Sequence, residues 1–84
     1  MTRYHFHVHN GQDYPDEHGT ELPHLEGVQA HALKTLAELI REKPDMFWKG
    51  EALSLRVTDS SDLALFTLYL SVTKAPAMLR SRPN

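Results

Sequence analysis

The spacing of apolar residues switches period along this chain, and the order of the switches limits what it can fold into. Tyr4, Phe6 and Val8 alternate with Arg3, His5, His7 and His9, the period-two mark of a half-buried strand. From His24 to Lys43 the apolar positions Leu25, Val28, Ala32, Leu36, Leu39 and Ile40 recur every three or four residues. That spacing makes one stripe on a helix. Alternation then returns twice, at Leu53, Leu55 and Val57 and again at Ala64, Phe66, Leu68, Leu70 and Val72. The reading is β-α-β-β, a small two-layer α+β domain.

Punctuation between these segments agrees with that order. Asn10-Gly11 is a turn signal, and the polar stretch from Gln12 to Gly19, with Pro15, reads as a loop in which Gly19 takes positive φ. The expected sheet has three strands, to which Thr20-Glu21-Leu22 could add a brief fourth returning along the first, and Pro23 suits the first turn of a helix. Pro44 stops the helix, because the residue before a proline avoids helical geometry. Met46-Phe47-Trp48 reads as an apolar plug at the helix end of the core, and Asp59-Ser60-Ser61-Asp62 as a hairpin turn. A right-handed crossover through the helix would set the first two long strands parallel. The last and most apolar strand would then lie between them, giving the order 1-3-2. One domain over residues 1–75 and a flexible tail over 76–84 are expected, since the tail has two prolines and no periodicity.

Composition excludes several classes of function. With 84 residues and no cysteine, the chain has no disulfide, thiolate nucleophile or cysteine-bound zinc, and a core this small favours self-association. The net charge is -2 without a basic block before the tail, which argues against a nucleic-acid interface. No apolar run approaches the ~20 residues of a membrane span, and the first residues lack a secretory apolar run. A cytoplasmic location is expected.

Arg3-Tyr4-x-Phe6-His7-Val8, Asp16-x-x-Gly19-x-Glu21-Leu22, Phe47-Trp48-x-Gly50, Val57-Thr58-Asp59 and Leu65-Phe66 together resemble a family of short alphaproteobacterial proteins known only as a domain of unknown function. The resemblance runs from Arg3 to about Thr73. His5 departs from the pattern, where an aromatic or aliphatic residue is usual. Asp62 departs where glycine is usual, and aspartate tolerates the left-handed geometry that glycine would supply. The resemblance implies the fold outline and no activity.

The residues best suited to chemistry gather on the first strand. His5, His7 and His9 share one strand face at roughly 6.6 Å spacing. Two could meet a divalent metal such as zinc, with a further ligand from His18, His24, Asp16 or Glu17. A polar strand face that tolerates histidine is the plainer account. The acidic loop lacks the ligand spacing of a calcium site. No serine sits in a nucleophile elbow and no glycine-rich phosphate loop follows a strand, so catalysis and a cofactor are not expected. One helix can cover only one face of the sheet. The other face carries His5, His7, Arg56, Leu65, Thr67 and Tyr69, a mix of polar and large apolar residues suited to a protein interface. The reading is a non-catalytic interaction module that pairs with itself as a homodimer, or with another protein. A small metal-handling protein is the alternative.

Overall fold

The computed structural model describes residues 1–49 and 52–79. Strand β1 (Thr2–His9) is followed by two short strands, β2 (Asp13–Tyr14) and β3 (Thr20–Leu22). Helix α1 (Leu25–Glu42) and the short helix α2 (Pro44–Trp48) lead into the hairpin of β4 (Leu53–Thr58) and β5 (Ala64–Leu70). A single helical turn, α3 (Pro76–Leu79), follows. It lies where an irregular tail is expected from the sequence; the remainder of that tail, 80–84, lies outside the described residues.

One main helix therefore packs on an open antiparallel sheet, and the α+β class holds. The strand order differs from expectation. The path is β2-β1-β4-β5, with β3 also paired to β1. The first two long strands are neighbours and antiparallel, and the last strand lies outside them rather than between. The reason is the three-residue strand β3. It and β4 both run antiparallel to β1, on its two sides, so they are parallel to each other. The helical crossover thus connects β3 to β4 and passes over β1. A unit that starts from β3 instead of β1 reverses the direction of β4.

The centre of the sheet goes to β4. Leu55 and Val57 are fully buried on the helix side, Leu53 is 5% exposed, and even Thr58 is 1% exposed. Leu55 and Val57 pack with Phe6, Val28 and Ala32, and Tyr4, Val8, Leu22, Phe66 and Leu68 border that cluster. The Phe6 ring meets His31 of α1 at 4.6 Å in a tilted arrangement. Only part of the helical stripe is covered, since Leu25 and Leu33 are more than half exposed.

Pro44 ends α1 as expected and also starts α2, where its fixed φ fits the first helical position. The plug reading of the next residues needs correction. Trp48 is 48% exposed and makes an edge-on contact with Phe47. A five-residue helix beyond the end of α1 turns one side to solvent whatever its composition.

Candidate functional site

The sheet face away from α1 is organised in cross-strand rows. His9, Ser54 and Tyr69 make one row, and His7, Arg56 and Thr67 the next. His5 and Thr58 lead to Ala64, where a bulge inserts Leu65 between Ala64 and Phe66. Strand pairing brings His5, His7, Arg56, Thr67 and Tyr69 onto one face, while Leu65 sits at the bulge beside it; the same bulge sets Ala64, expected on the helix side with Phe66, opposite Thr58 of the open face. The six residues expected at an interface are not equally accessible. Tyr69 is 78% and Leu65 42% exposed, Arg56 is exposed, and His5, His7 and Thr67 are half-buried. An open depression of about 570 Å³ lies over this face, bordered by His7, Arg56, Thr67 and Tyr69 and on its far side by Asp13 and Tyr14.

The histidines are half-buried because the loop after β2 folds against them. The backbone of Asp16 lies between two imidazoles. His5 Nδ1–H donates to the Asp16 carbonyl at 2.7 Å, and the Asp16 backbone N–H donates to His7 Nδ1 at 3.1 Å. A backbone amide can only donate, so His7 Nδ1 is unprotonated. Its Nε2–H then donates to the Thr58 hydroxyl at 3.0 Å. The two rings lie nearly parallel with centroids 6.0 Å apart.

The Asp16 carboxylate completes the clamp. One oxygen accepts from Phe6 N–H at 3.1 Å and the other from Gly19 N–H at 3.0 Å. Gly19 adopts φ +74°, the left-handed geometry expected of it. Arg3 secures the far end of the loop, donating to the His18 carbonyl at 2.6 Å and pairing with Glu21 at 2.9 Å.

These contacts set the protonation chemistry. Partial burial alone would raise the Asp16 pKa. The Gly19 and Phe6 amides outweigh it, with help from His5, and hold the carboxyl below its ordinary value. For His7, burial comes first, with the positive charge of Arg56 and then His5 beside it, and all lower its pKa. Asp16 and Asp62 oppose that shift without reversing it.

The metal expectation gains no geometric support. Both ring nitrogens of His7 are engaged by protein groups, and His9 pairs with Asp13 at 2.7 Å on the exposed turn. Among the described residues no group of three or more histidine, cysteine, aspartate or glutamate side chains is disposed to hold a metal ion. No helix among them is long and apolar enough to cross a membrane.

A family model described as a domain of unknown function, DUF6894, matches residues 3–71. The chain belongs to this family. The match spans β1 through the end of β5, so the clamp, the core and the open face all lie inside the DUF6894 domain, while α3 lies beyond it. No curated protein and no solved structure matches the chain.

Asp16 is the structural residue that sequence reasoning missed. In sequence, Asp16 stands only as part of a polar loop, as a candidate metal ligand and within the pattern shared with the family, with no bonding role assigned to its carboxylate. The signal that could have found it is the turn pattern Asp16-x-x-Gly19, an acceptor three residues before a glycine.

Proposed function

We propose that this protein is a non-catalytic assembly module, acting in the bacterial cytoplasm, that self-associates as a homodimer through the open face of its sheet. The observation that carries the reading is the pair of large apolar side chains Tyr69 and Leu65, both exposed, Tyr69 in the row with Ser54 and His9 on the face opposite α1 and Leu65 at the bulge beside that face. Around them lie Arg56, Thr67 and the partly covered histidines, which gives an apolar centre with a polar border. The depression over the face is open and mixed in polarity, unlike the enclosed apolar pockets that hold small substrates.

Sedimentation velocity at about 100 μM tests this. The wild-type chain of 9.6 kDa is expected to sediment as a dimer, and Leu65→Glu/Tyr69→Glu as a monomer, because two carboxylates per copy enter the apolar centre. A monomeric wild type, or a double variant that dimerises equally well, overturns the reading. If a chelator dissociated the dimer, metal binding by His5, His7 and His9 would replace it.

A further inference from the structure

The two edges of the sheet are treated differently, and the difference points to the mode of assembly. Along the outer edge of β1, β3 covers Thr2–Tyr4 and β2 covers Val8–His9. Between them the Asp16 carboxylate takes the Phe6 N–H. That edge is closed along nearly its whole length. The outer edge of β5 has no strand beside it among the described residues. About half of its seven residues point their N–H and C=O groups outward, as in any antiparallel edge strand. Edges left exposed usually carry lysine, proline, an inward charge or a bulge against pairing. Ala-Leu-Phe-Thr-Leu-Tyr-Leu has no lysine, proline or charge, and its bulge is confined to its first residues, leaving Phe66–Leu70 regular.

We infer that two copies of this chain join edge to edge through β5, antiparallel about a two-fold axis at Thr67, forming one continuous sheet. The inference rests on the self-association reading above and moves the contact from the middle of the open face to its β5 border, where Leu65 and Tyr69 lie. A two-fold axis at Thr67 sets Leu65 opposite Tyr69 of the second copy, twice. On the helix side it sets Phe66 opposite Leu68. Each exposed apolar residue of the open face thus meets a large apolar partner at cross-strand distance. The groove beside β5 under α1, about 420 Å³ and lined by Gln29, Leu33, Phe66, Thr67 and Leu68, lies along the same seam. Neither β5 nor this lining holds a charged residue, so like charges do not meet when the patch pairs with itself. A charged peptide would find no complementary group there, which favours a second copy as the occupant.

The seam is of modest size. Seven residues span roughly 24 Å, and a side-chain layer about 10 Å deep on each face gives about 1,000 Å² buried in total. That is the lower end for a specific interface, so the dimer is expected to be concentration-dependent.

The chain contains no cysteine, so single cysteines report symmetry directly. Opposed residues on an antiparallel pair fall within disulfide range. Thr67→Cys, oxidised at about 100 μM, is expected to give a covalent dimer at least tenfold more abundant than Ser54→Cys or Arg56→Cys. Leu65→Lys/Tyr69→Glu should retain the dimer, because each lysine then faces a glutamate of the other copy, whereas Leu65→Glu/Tyr69→Glu loses it. If wild type sediments as a dimer but Thr67→Cys cross-links no better than the controls, edge pairing is wrong and the open-face reading survives. A disulfide that forms at another β5 position and not at 67 overturns the edge pairing in the same way. A monomeric wild type removes both.

Discussion

Asp16 shows how one side chain can fix a loop that lacks regular structure. Its carboxylate takes two backbone N–H groups, and its own backbone N–H and C=O join His7 and His5. Asp16→Ala leaves those half-buried donors without their acceptor and should cost on the order of 1–3 kcal/mol, read by urea denaturation. Gly19 beside it accepts no side chain. A Cβ would sit 2.8 Å from Arg3 Cγ and 2.9 Å from the Tyr4 carbonyl, in a left-handed conformation. Gly19→Ala should therefore destabilise by roughly 1–3 kcal/mol. The pH response follows from the same contacts. Neutral His7 accepts the Asp16 N–H, and its folded pKa lies below 6.5. The unfolded chain takes up that proton first, so stability from this group is full above pH 6.5 and declines as pH falls toward the folded value. Asp16, lowered from 3.8, keeps its contribution above that value and loses it as pH falls through the folded pKa. Denaturation at about pH 7.5 and about pH 5.5 should show a loss for wild type that His7→Gln reduces; equal losses would contradict the assignment. Beyond the local turn from Asp16 to Gly19, this network was not legible in the sequence. It joins residues 9 to 11 positions apart through backbone groups, which leave no trace in residue type.

The elements were more legible than their arrangement. Alternation over Tyr4–Val8, Leu53–Val57 and Phe66–Leu70 assigned each long strand and sorted its side chains between faces, because a strand's two sides are fixed by parity; it failed at Ala64, which the bulge sets opposite Thr58 and not beside Phe66. That is why His7, Arg56 and Thr67 could be grouped before their row was seen. Strand order was not legible, since it depends on β3, whose three residues are too few to show periodicity. Apolar content also misplaced β5. Its large residues are divided between both faces, and central β4 is the strand with both faces buried at Thr58 and Val57. Trp48 illustrates the same limit, being apolar in sequence and half exposed in α2. Leu55→Ala should cost about 2–5 kcal/mol, the range for an aliphatic side chain removed from a packed core. Trp48→Ala should cost less than half as much, and thermal denaturation of the two variants decides. Equal losses would mean Trp48 is packed as tightly as the centre of β4.

At the scale of the whole molecule, the described residues build one thin core and cover the sheet face opposite α1 only in part, with the loop after β2. Its extents are 55 × 22 × 19 Å and its radius of gyration is 15.6 Å, against about 12 Å for a compact chain of 84 residues. Asp16, β2 and β3 seal one edge, and β5 presents the other with Leu65 and Tyr69 beside it. Membership of DUF6894 extends this outline to β1 through β5 and assigns no activity. Self-assembly through β5 is the central claim, and residue-resolved amide hydrogen exchange tests it most directly. The outward-pointing amides between Leu65 and Leu70 should exchange freely at low micromolar concentration and become protected as the concentration rises to several hundred micromolar. The amides facing β4 should stay protected throughout. Outward amides that exchange at the same fast rate across that range would contradict assembly through this edge.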